Sequence, residues 1–90
     1  MKKKIAIFGS TGSIGKTTFN IIKKNKNNFE VVLLTTNKNI NEIIKQTRQV
    51  KVRNILVCSK PHYLSLKKKL RKKNIKIFNN FNDLNKIIKK

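Results

Sequence analysis

Apolar residues come in short bursts along this chain, and two spacings alternate. Lys4-Ile5-Ala6-Ile7-Phe8 is a brief apolar run that stops at Gly9, as a buried parallel strand does. From Ile14 to about Asn25 the spacing turns helical. Ile14, Thr18 and Ile22 fall at i, i+4 and i+8 with Phe19 beside them, which predicts the side facing the core. Glu30 to Thr35 predicts a second strand through Val31, Val32, Leu33 and Leu34. Ile40, Ile43, Ile44, Thr47 and Val50 return to helical spacing, with Asn39 placed to cap the helix. Asn54 to Cys58 predicts a third strand, in which Cys58 packs as a small hydrophobe. Ser59 is placed to cap a third helix with Pro61 in its first turn, where a missing N–H costs little. Leu66 and Leu70 continue that helix until it fades at Asn74. Ile75 to Phe78 predicts a fourth strand, and Phe81, Leu84, Ile87 and Ile88 mark a fourth helix from Asn82 to Lys90.

Strands alternating with helices imply parallel pairing through right-handed crossovers. The expected fold class is α/β, a Rossmann-like parallel sheet with flanking helices in partial β-α-β-α-β-α-β-α order. No linker or repeat divides residues 1–90, so they form one domain. A dinucleotide fold needs two mononucleotide halves, and this chain supplies one half and the beginning of another. A fragment of a longer protein is therefore expected.

The informative stretch is Gly9-Ser10-Thr11-Gly12-Ser13-Ile14-Gly15, which leaves a strand and opens a helix. Gly9 permits a sharp turn, Gly12 lets backbone approach a pyrophosphate, and Gly15 lets the helix pack near the sheet. Free N–H groups from Ser13 to Gly15 then favour an anion, and Thr11 and Ser13 add hydroxyls. The spacing is Gly-x-x-Gly-x-x-Gly, one residue away from the common dinucleotide fingerprint. The second strand ends in Thr35-Thr36-Asn37-Lys38-Asn39, without the acid that holds an NAD ribose. Lys38, with the amides of Asn37 and Asn39, suits a 2′-phosphate, hence NADPH. A rival remains open. Gly15-Lys16-Thr17 supplies the end of a P-loop, although its opening glycine would have to sit at Ser10. In a nucleotide triphosphatase, Lys16 would reach the phosphates and Thr17 would bind Mg²⁺.

Charge complicates this picture. The chain has 23 Lys plus Arg against 3 acids, a net charge of +20, which normally points to nucleic acid or a membrane surface. Yet Lys, Asn and Ile fill 46 of 90 positions, and their codons need little beyond A and T. Base-composition drift with a solvated surface explains the bias, since the lysines are spread along the chain. Lys67-Lys68-Lys69 and Arg71-Lys72-Lys73 read as a solvated helix side, and a basic nucleic-acid-binding module is the alternative. No apolar run approaches the roughly 20 residues of a membrane helix. Ile5 to Phe8 is too short for a secretory signal, so a cytoplasmic protein is expected. Cys58 alone cannot form an internal disulfide, and no Cys/His spacing suggests a metal. His62 has no carboxylate neighbour in sequence and reads as a surface histidine. No catalytic residue is assigned.

From Gly9 to Gly15 the sequence resembles the 1-deoxy-D-xylulose 5-phosphate reductoisomerase family, whose opening Gly-Ser-Thr-Gly-Ser-Ile-Gly is matched residue for residue. Asn28-Phe29-Glu30-Val31-Val32 resembles the family's His-Phe-x-Val-Val, and Asn37-Lys38-Asn39 falls where the family has Gly-Lys-Asn. Beyond Val52 only the strand–helix rhythm is similar. The resemblance implies NADPH binding by Thr11, Gly12, Ser13, Ile14, Asn37, Lys38 and Asn39. With Gly9 and Gly15 from the turn itself, these are the candidate cofactor residues. Asn37 replaces a glycine, and asparagine tolerates the left-handed conformation such a turn can require. The resemblance further implies NADPH-dependent rearrangement and reduction of a phosphorylated sugar in non-mevalonate isoprenoid synthesis. Mg²⁺ or Mn²⁺ is implied only for the full-length enzyme, for which a homodimer is open. The 90 residues alone are expected to be inactive.

Overall fold

The computed structural model describes residues 2–88, with side chains through Asn85. Eight elements alternate: β1 (Lys3–Ile7), α1 (Ser13–Lys24), β2 (Phe29–Thr36), α2 (Ile40–Gln49), β3 (Val52–Val57), α3 (Lys60–Lys69), β4 (Lys76–Phe78) and α4 (Phe81–Ile88). The expectations for Lys89, Lys90 and the side chains of Ile87 and Ile88 lie outside the described residues. All pairings are parallel and the sheet order is β1-β2-β3-β4. This is the expected α/β, Rossmann-like sheet with flanking helices.

The sheet winds in one direction. Each right-handed crossover steps to the next strand, so α1, α2 and α3 fall on one side. Phe19 and Ile22 of α1, Ile43 of α2 and Leu66 of α3 accordingly share one core with Val31, Leu34, Ile55 and Val57. The other side holds a smaller cluster, in which Leu84 of α4 meets Leu33, Leu56 and Phe78. In a dinucleotide fold the chain next crosses to the other side of β1. Here β4 instead extends the sheet outward past β3, so it does not begin a second half.

Two packing expectations change. Helix α1 buries Gly15, Phe19 and Ile22, leaving Thr18 exposed and Ile14 85% exposed. A Cβ on Gly15 would lie 2.0 Å from the Gly9 carbonyl oxygen. Only a bare α-carbon lets the first helical turn come that close, and a glycine adds nothing to an apolar periodicity. Cys58 is exposed rather than packed, because β3 stops at Val57.

Helix starts are handled unevenly. Asn39 caps α2 as predicted, its Oδ1 accepting the Glu42 N–H at 3.2 Å. Ser59 holds the N-cap position of α3, with Pro61 in the first turn, but makes no side-chain cap. Its hydroxyl lies 2.7 Å from His62 Nδ1 instead.

Candidate functional site

Ligands of open α/β sheets sit outside the carboxyl ends of the strands. At that end β1 runs into Gly9, whose φ of +67° is the left-handed conformation that favours glycine. The Gly12 N–H donates back to the Gly9 carbonyl at 3.0 Å, closing the turn. Helix α1 then starts at Ser13 with Gly12 at its N-cap, and no side chain caps it. The N–H groups of Ser13, Ile14 and Gly15 thus emerge at an open, partly positive helix end. Gly9, Gly12, Ser13, Ile14 and Gly15 line one shallow groove, with Phe8 on its wall.

The glycines divide by cause. Gly9 serves its positive φ, and Gly15 the close approach of helix to turn. Gly12 serves neither. Its φ of −79° and ψ of 174° suit any residue, and an added Cβ would meet only Gly9 O at 3.5 Å, an ordinary contact. The bare backbone at Gly12 therefore answers no need of the fold itself.

Polar residues that the sequence pattern passed over fix the turn in place. Ser10 is fully buried, and its N–H donates to the Thr35 carbonyl at 2.9 Å. The Ser10 hydroxyl donates to Gln46 Oε1 at 2.8 Å, and Gln46 Nε2 donates to the Ser10 carbonyl at 2.8 Å. The Gly9 N–H donates to Thr35 Oγ1 at 2.7 Å, and the Thr11 and Thr36 hydroxyls lie 2.8 Å apart. A signal for Gln46 existed: it falls three residues after Ile43 and four before Val50, on the apolar stripe of α2.

Through the Thr11–Thr36 bond, the glycine turn sits beside Asn37, Lys38 and Asn39, all exposed at the end of β2. Of these, Asn39 spends its oxygen on capping α2. Asn37 is not left-handed, since no described residue other than glycine has a positive φ. Its carbonyl instead accepts the Ser59 N–H at 3.0 Å, which brings the β3–α3 turn alongside. None of the three acids is free at this corner. Glu30 Oε2 lies 2.6 Å from Arg53 Nε, Glu42 pairs with Lys16 at 3.9 Å, and Asp83 Oδ2 accepts from Asn80. The corner is left with Lys38.

The P-loop roles are not formed. Lys16 lies a full turn inside α1 and reaches toward Glu42, while the Thr17 hydroxyl donates to the Ser13 carbonyl. A second crevice, between Lys2, Lys26, Lys51 and Arg53, lies at the amino ends of the strands, the end that parallel sheets do not use for ligands.

The family model for 1-deoxy-D-xylulose 5-phosphate reductoisomerase matches residues 5–90. The chain belongs to that family. The reductoisomerase of Pelagibacter ubique is 49% identical over 85 residues, which cover 94% of this chain and 22% of the relative. The Zymomonas mobilis reductoisomerase in complex with NADPH superposes with a TM-score of 0.86 at 22% identity, covering 96% of this chain and 23% of that one. A DOX-P reductoisomerase in complex with magnesium gives 0.80 at 25% identity, covering 97% and 22%. The chain thus spans 22–23% of the length of these family members. Among the described residues, no helix is long and apolar enough to cross a membrane.

Proposed function

We propose that residues 1–90 are the N-terminal NADPH-binding domain of a longer 1-deoxy-D-xylulose 5-phosphate reductoisomerase. The whole enzyme would rearrange its phosphorylated sugar and reduce the product with NADPH to 2-C-methyl-D-erythritol 4-phosphate, in non-mevalonate isoprenoid synthesis. Family membership supports this, as does the NADPH held by the similar Zymomonas mobilis structure. The observation that carries it is Gly12. A residue that the fold leaves free to bear a side chain is bare where an uncapped helix end opens on a groove. A pyrophosphate needs that bareness to reach the amides.

The site residues take distinct parts. Gly9 and Gly15 set the turn. Gly12 admits the diphosphate, and Ser13, Ile14 and Gly15 present N–H donors to it. Thr11 ties the turn to β2, and the exposed Ile14 side chain offers an apolar contact. Lys38, flanked by Asn37 and Asn39, would hold the 2′-phosphate. Bound NADPH supplies a hydride, and these residues hold and orient it. For a divalent metal the residues do not fit: no three His, Cys, Asp or Glu side chains among the described residues could hold one. No step through Mg²⁺ or Mn²⁺ is assigned here, and these residues alone are expected to bind cofactor without turnover. A homodimer belongs to the reading of the whole enzyme. The exposed free thiol of Cys58 suits the reducing cytoplasm.

Titration of the chain with NADPH tests this. Gly12→Val should weaken binding at least about tenfold while the urea midpoint holds. An unweakened Gly12→Val complex sinks the proposal.

A further inference from the structure

The proposed function leaves the β3–α3 turn without a part. Three observations give it one. First, Ser59 donates its N–H to the Asn37 carbonyl and Cys58 donates to the Thr36 carbonyl. The turn is thereby clamped to the chain one residue before Lys38. Second, the Ser59 hydroxyl is diverted from the capping expected of it and lies 2.7 Å from His62 Nδ1. With Nδ1 so engaged, Nε2 is the ring nitrogen left to meet a ligand. When the serine O–H donates to Nδ1, Nε2 is the ring nitrogen that carries a proton and can donate it to an anion. Third, every acid of the chain is committed elsewhere, Glu42 to Lys16, Glu30 to Arg53 and Asp83 with Asn80. Lys38 and Lys60 each adjoin a residue of that clamp, and among the described residues no carboxylate pairs with either.

We propose that His62, oriented by Ser59 and aided by Lys60, forms the second wall of the 2′-phosphate site opposite Lys38, and so sets the preference for NADPH over NADH. This rests on the NADPH reading. A 2′-phosphate carries about two negative charges at neutral pH and several acceptor oxygens, more than one lysine on an open turn satisfies. An imidazole N–H and a second ammonium on the neighbouring turn complete its donors. NADH, with a 2′-hydroxyl, gains little from either.

The test is a parallel titration of the chain with NADPH, NADH and 2′,5′-ADP. His62→Gln should weaken NADPH and 2′,5′-ADP about tenfold and leave NADH unchanged. Lys60→Gln, at an exposed position that cannot disturb folding, should weaken the same two about threefold. Equal losses for NADPH and NADH, or no loss in either variant, overturn this assignment while NADPH binding by the parent chain stands. A parent chain that binds neither dinucleotide overturns the NADPH reading and this assignment together.

Discussion

Three glycines in one turn look alike in sequence and do different things. Gly15→Ala would force a Cβ to within 2.0 Å of a backbone oxygen. Such overpacking should cost about 3 kcal/mol of stability, measurable as a fall in the urea midpoint. Gly12→Ala should cost less than about 1 kcal/mol and show its effect in NADPH affinity instead. If Gly15→Ala unfolds no earlier than Gly12→Ala, the division of roles is wrong. Their presence and placement were legible in sequence; their division was not, because it depends on where the Gly9 carbonyl ends up. For the same reason the helical spacing of Ile14 with Ile22 misplaced the buried side of α1. The helix rolls onto Gly15, the one position with no side chain to count. The left-handed conformation that asparagine tolerates is not used at Asn37, and its carbonyl is recruited by Ser59, which the sequence does not show.

The strands and helices themselves were legible, since apolar bursts of Val, Ile and Leu ending at Gly or Asn leave few other choices. What holds one element to the next was legible only where it is apolar. The link between the glycine turn and α2 is polar and buried, through Ser10 and Gln46, and polar residues are read by default as surface. Gln46→Leu keeps the volume and removes two hydrogen bonds, stranding the Ser10 carbonyl and leaving its hydroxyl only the Thr35 carbonyl at 3.5 Å. We expect a loss of about 2–3 kcal/mol together with weaker NADPH binding, because the turn loses its anchor. Thermal unfolding of the variant alongside NADPH titration checks both, and a stability loss with unaltered affinity would mean that the turn holds its shape without α2.

The net charge of +20 acts on the domain through self-repulsion and through attraction for an anionic cofactor. Salt separates these. Screening shortens from about 10 Å at 0.1 M to about 3 Å at 1 M. Raising NaCl from about 0.05 to 0.5 M should therefore increase the thermal midpoint and decrease NADPH affinity. A midpoint that falls with salt would show that ion pairs such as Glu30–Arg53 outweigh the repulsion.

A sheet wound in a single direction also comes apart in a single direction. β1 and β2 pair over five positions, β3 and β4 over only three, so fraying should start at the β4 margin and travel inward. Protection from amide hydrogen exchange should then fade from Leu33 and Leu34 through Leu56 to Ile77, which exchanges fastest. The strands beneath the cofactor corner would open last, leaving the domain able to breathe at its far border without loosening its grip.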